Sequence, residues 1–351
     1  MSFDPLCLAA AVGSFPHKNA EEALDLIFQR FPEIPVWPQL PRLGFRENMY
    51  VQFSEKLPCA VLDESAGCLH FDTGGDIYGP LESFFERVVL EDVDFFETAQ
   101  PFAAGFHAFI DRLTREKPET VRCVKGQVTG PISFGLTITD QGKRAIMYHP
   151  ELYEAILKGC VMSARWQVRK LKTVHPQVLI FMDEPYLSAF GSAFINLSRE
   201  QVVSNLSELA EGIHQEGGLV GIHCCGNTDW SILMDVPIDV LNFDAYEFFQ
   251  GLTLYPESLA RFVDRGGTLA WGIVPSSDAA EGESVDSLRA RFGEGLELLA
   301  GKGIDRDRLV RQCLITPSCG MGGRTVELAK RITMLTAELA ASLREKHALY
   351  R

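Results

Sequence analysis

His223 and Cys225 stand two residues apart in one apolar run, LVGIHCCG (219–226). If that run is a strand, alternation turns both side chains to one face and Cys224 to the other. An imidazole nitrogen and a thiolate meeting at one point are the donor types zinc prefers in a tetrahedron. A third such donor, Cys319, lies in TPSCGMGG (316–323), where another apolar run gives way to small residues. Asp244 and Glu247, in DVLNFDAYE (239–247), each offer a carboxylate. Asp183 and Glu184 close VLIFMDEP (178–185), and Gly13 and Ser14 close CLAAAVGSFP (7–16). Three or four ligands of this kind leave a position for an exchangeable one, which marks a catalytic zinc. The spacing is not that of a zinc finger, so the fold must assemble the site.

The elements that could do so recur along the chain. Apolar runs ending in small or polar residues lie at 7–16, 36–41, 121–130, 178–185, 219–226, 239–247, 268–276 and 313–320. Continuous Val, Ile and Leu runs are expected of strands buried on both faces. Amphipathic stretches lie between most of them, at 19–30, 150–173, 198–215, 256–264, 284–301 and 325–345. Ser198 followed by Gln201 forms a capping-box signal. Alternating strands and helices imply a parallel sheet, and eight units close into a (β/α)₈ TIM barrel. The alternative is a doubly wound open sheet. In a barrel the catalytic groups gather at the C-terminal ends of the strands, where these candidates fall. The chain reads as one barrel domain over 1–351, with an insertion after the second strand at about 44–120. Within it, 57–72 predicts a hairpin turning at ESAG, and Glu82–Val89 and Val93–Arg115 predict helices. The insertion is a candidate lid.

Composition narrows the partners. The 351 residues carry a net charge of −14, which repels phosphate backbones and argues against nucleic acid. No apolar run is long enough to cross a membrane, and the start lacks the basic region of a signal peptide. Nine scattered cysteines fit a reduced, cytoplasmic setting better than a disulfide framework.

VGSFPHK (12–18), KGQVTGP (125–131), FMDEPYL (181–187), IHCCGN (222–227), DVLNFD (239–244) and TPSCGMGGRT (316–325) together resemble the catalytic half of cobalamin-independent methionine synthase. That family lies in the uroporphyrinogen decarboxylase-like superfamily of barrels. The resemblance implies zinc held by His223, Cys225, Cys319 and a carboxylate. It favours Asp244, where the family has Glu, with Glu247 in reserve. It also implies that Gly13 and Ser14 bind the carboxylate of homocysteine and Asp183 its amino group, with Glu184 beside it. The expected reaction is methylation of a small thiol to a thioether such as methionine, with His223, Cys225, Cys319 and Asp183 as catalytic residues.

One departure bears on the methyl donor. Folate-using members of the family carry a His after the seventh strand, in a G-V-Y-D-I-H run, for proton transfer. The matching run here is Gly272–Ser277, with Pro275 and Ser277 in place of the acid and the His. Serine is a far weaker acid, so a methyl-corrinoid, which leaves without a proton, is favoured over methylfolate. A corrinoid protein is then an expected partner. A second departure lies at 42–47, where Glu47 aligns only loosely with an acid the family uses for the acceptor. Competing readings are a metal-free decarboxylase of the porphyrinogen type and a non-catalytic metal- or corrinoid-binding barrel.

Overall fold

The computed structural model describes residues 4–192 and 196–349. Its strands are β1 (Leu8–Ala9), β2 (Ala60–Asp63), β3 (Cys68–Phe71), β4 (Val124–Thr129), β5 (Thr139–Asp140), β6 (Val178–Asp183), β7 (Leu219–Cys224), β8 (Val240–Phe243), β9 (Thr268–Val274) and β10 (Cys313–Pro317). Seven of these form one sheet in the order β1-β10-β9-β8-β7-β6-β4, and every pairing in it is parallel. The order follows the chain from β4 to β10, and the last strand pairs with the first. A doubly wound sheet would reverse direction part-way.

The expected strand at 36–41 is reduced to isolated contacts. Val36 bridges Lys125 on β4, and Gln39 bridges Ser14 just beyond β1, both in parallel sense. Gln39 N–H donates to Gly13 O at 3.0 Å, and Trp37 N–H to Lys125 O at 3.2 Å. Regular pairing fails because Pro35, Pro38 and Pro41 have no N–H to donate. The segment nevertheless bonds towards both ends of the seven-stranded sheet.

Apolar side chains pack in two separate groups. Leu8, Ala10, Cys123, Leu179, Phe181, Val240, Ala270 and Leu314 belong to a small cluster inside the curve of the strands. The large cluster lies between the strands and the surrounding helices. Above the small cluster, inward positions turn polar: Gln127, Asp183, His223, Asn242 and Thr316 are all buried. The helices follow the sequence pattern closely, at Ala20–Arg30, Pro150–Lys172, Arg199–Gln215, Pro256–Asp264, Val285–Gly301 and Val326–Lys346. Ser198 and Gln201 form the anticipated capping box.

Between the Pro-rich segment and β4, β2 and β3 make an antiparallel hairpin with Glu64–Gly67 as its turn, and β5 adds to its edge. Gly67 takes a positive φ of 60° there, a conformation that favours glycine. A helix spans Tyr78–Val89. The long helix expected at 93–115 is broken: a short 3₁₀ turn covers Val93–Phe96 and a helix runs Ala104–Glu116. Pro101 lies in the gap. No helix of the described residues is long and apolar enough to cross a membrane.

Candidate metal and thiol site

His223 and Cys225 leave β7 on the same face, and Cys319 follows β10. Ligand atoms of these three residues lie within 4.8 Å of one another. His223 is buried, and the two cysteines are partly exposed at the pocket floor. The His223 Nδ1 is 2.6 Å from Asn242 Oδ1, while its Nε2 is buried with no hydrogen-bond partner. A partnerless imidazole nitrogen beside two sulfurs is a donor set that fits zinc. Contact with the Cys319 thiol, and then with His223, pulls Cys225 down to about 4, whereas the same contact pushes Cys319 up. Burial opposes charge on His223, but Cys225 and Asp183 outweigh it and raise its pKa.

These residues floor a pocket of about 280 Å³, whose walls include Val12, Ser14, Gln39, Glu47, Asp183 and Gly322. Asp183 Oδ1 is buried without a partner, and burial pushes its carboxyl up to about 6. The charges of His223 and then Lys125 moderate that rise. Lys125 itself is fully buried, donates to Val12 O at 2.5 Å and lies 4.0 Å from the Phe181 ring centroid. A Cβ at Gly13 would lie 2.9 Å from Gln127 Cδ and Oε1, so a side chain there would require the buried Gln127 amide to shift.

No protein-family model matches the chain. A curated methionine synthase from Methanocaldococcus jannaschii is 21% identical over 334 residues, covering 92% of this chain and 94% of the relative. The chain resembles methionine synthase over nearly its whole length. A solved B12-independent methionine synthase from Shewanella sp. W3-18-1, in complex with selenomethionine, is 14% identical, covers 69% of this chain and 68% of its own, and has a TM-score of 0.46.

The structure redistributes some of the roles expected of this methionine synthase-like chain. Glu184 does not line the pocket. Its carboxylate accepts from Ile132 N–H, Ser133 N–H and the Ser133 hydroxyl, at 3.0, 2.7 and 2.5 Å. It therefore anchors the N-terminus of the Pro131–Thr137 helix rather than a substrate. Glu247 is exposed and faces a separate cleft with Tyr246, Trp271 and Arg291, so it is displaced as the reserve ligand. Asp244 ends β8 on the His223 side but lies outside the group of three. Its Oδ1 accepts from the Tyr246 and Glu247 N–H groups at 2.9 and 2.8 Å, and its charge still acts on His223. Ser14 lines the pocket, and its Oγ accepts from Gly322 N–H.

Three contributors were missed from sequence. Lys125 is the one cation within β4, a strand otherwise fit for full burial. Asn242 sits two residues before Asp244, so alternation would have placed it on the same face. Gln39 gave no signal, because the Pro-rich segment obscured its pairing. Glu47, aligned only loosely, is buried in the pocket wall; burial pushes it up to about 7, and it accepts from Ala104 N–H at 2.7 Å.

Proposed function

We propose that this chain is a zinc-dependent methyltransferase that converts homocysteine to methionine. The observation that carries the reading is the convergence of His223, Cys225 and Cys319 in one pocket beside Asp183, whose Oδ1 has no hydrogen-bond partner. The resemblance to a methionine synthase along the whole chain supports it. The strand order and the separate interior cluster support a (β/α)₈ barrel with 35–39 in the second position. Residues 1–351 then form a single catalytic domain. Residues 44–120 are its insertion, contributing Glu47, Asn48 and Met49 to the pocket wall.

His223, Cys225 and Cys319 would hold the metal, with Asp244 as the fourth donor until the acceptor arrives. Bound zinc supplies one thing: it keeps an alkyl thiol deprotonated at neutral pH, as a ready nucleophile. The protein's own residues orient the acceptor. Asp183 takes the ammonium, for which its free Oδ1 is suited. The Ser14 oxygen already accepts from Gly322, so its hydroxyl hydrogen is available to the acceptor's carboxylate. The pocket of about 280 Å³ has room for an amino-acid thiol, and a bulky donor would approach from its mouth. Free thiols at all nine cysteines fit a cytoplasmic enzyme.

The donor in this account is a methyl-corrinoid, delivered by a partner protein, rather than methylfolate. A methylfolate nitrogen needs a proton as it leaves. Among the described pocket-lining residues the one imidazole is His223, and its Nδ1 is engaged by Asn242. Pro275 and Ser277 stand where the folate-using family carries its acid and His. Zinc-loaded protein should form methionine from homocysteine with methylcobalamin and not with methyltetrahydrofolate. Turnover with folate alone overturns the donor assignment, and no methionine from either donor overturns the activity.

A further inference from the structure

We infer that Asn242 is the positioning residue that selects which nitrogen His223 offers to the metal, an inference that rests on the function proposed above. The Asn242 amide has a fixed orientation. Its Nδ2 donates to Ala270 O and to Thr316 Oγ1, both at 2.9 Å. Turning the amide over would set its oxygen against the Ala270 carbonyl oxygen, acceptor against acceptor. Oδ1 must therefore face His223, and at 2.6 Å it can only accept a proton from Nδ1. The neutral ring then has Nδ1–H and a lone pair on Nε2, the buried nitrogen that lacks a partner.

The arrangement links four neighbouring strands, β7 to β10. Asn242 lies on β8, and its two donor contacts reach β9 and β10. His223 and Asn242 are register partners across β7 and β8. The ring is thus held by the sheet itself rather than by a mobile loop. Metal-bound histidines commonly give their second N–H to a carboxylate or a carbonyl. An amide performs that task here without charge. A carboxylate would add another negative group beside Cys225 and Cys319, the two sulfurs that would hold the metal.

The test is zinc affinity by chelator competition, with heteronuclear NMR of the His223 ring in zinc-loaded protein. Wild-type protein should show a proton on Nδ1 and metal on Nε2. Asn242→Leu removes the acceptor and should weaken zinc binding roughly 10- to 100-fold. Should Asn242→Leu fail to fold, the wild-type ring spectrum still decides. Metal on Nδ1, or equal affinities in wild type and a folded Asn242→Leu, overturns the inference while leaving the zinc enzyme intact. Wild-type protein that binds no zinc overturns the proposed function instead.

Discussion

Ser14 and Gly322 lie 308 residues apart, yet the Ser14 Oγ accepts the Gly322 N–H at 3.2 Å. The Met321 N–H donates to the Ser14 carbonyl at 2.9 Å. The turn after β1 thus holds the glycine-rich loop that carries Cys319. Arg42 adds a clamp from the other side, donating to the carbonyls of Gly322, Gly323 and Arg324. Gly320 and Gly322 permit this approach, because a Cβ on either would press into Ser14.

Ser14→Ala should therefore act on the metal as well as on the acceptor. Losing one partly buried hydrogen bond costs about 1 kcal/mol of stability. Chelator competition should show a few-fold loss of zinc affinity in the same variant. An unchanged affinity would mean that the loop keeps its place without Ser14.

Asp183→Asn should leave metal content intact and raise the KM for homocysteine by about 10- to 100-fold, the worth of a charge-assisted hydrogen bond of roughly 1.5–3 kcal/mol. Steady-state kinetics at saturating donor would check it. A KM equal to wild type would remove Asp183 from acceptor binding.

Asp244→Asn should weaken zinc binding, whereas Glu247→Gln should leave it unchanged, because Glu247 points into a different cleft. Parallel chelator titrations distinguish the two. The reverse ranking would restore Glu247 as the ligand.

Glu184 predicts a pH dependence of stability. Burial pushes its carboxyl from 4.5 up to about 7. Between those values the folded chain keeps a proton that the unfolded chain has released. Stability therefore declines as pH rises from about 4.5 to about 7, and Glu184 accounts for at most about 3 kcal/mol of that decline. Glu184→Gln should flatten the slope in that window, as measured by denaturant unfolding at several pH values. A slope unchanged from wild type would contradict the assignment.

Much of this architecture was legible in the sequence. Fully buried parallel strands such as β6 and β9 need unbroken apolar runs, and helices such as Arg199–Gln215 declare their caps. The three metal-donor candidates could be named because imidazole and thiol at strand ends have a narrow chemical use. The strand expected at 36–41 misled, since its apolar character promised pairing that its prolines forbid. The two carboxylates were harder still. Glu184 follows Asp183 directly, but alternation sends it outwards to the Pro131 helix. Glu247 lies beyond the end of β8, where a turn rather than a strand decides its direction. Asn242 needed coordinates, because its role depends on hydrogen bonds to two further strands.

The central claim is that His223, Cys225 and Cys319 together hold a zinc ion that takes the acceptor's sulfur. X-ray absorption at the zinc edge tests it most directly. The protein should contain one zinc per chain with two sulfur neighbours at about 2.3 Å, increasing to three on addition of homocysteine. A sulfur count that does not change with homocysteine, or that stays at two in Cys319→Ser, would contradict the account.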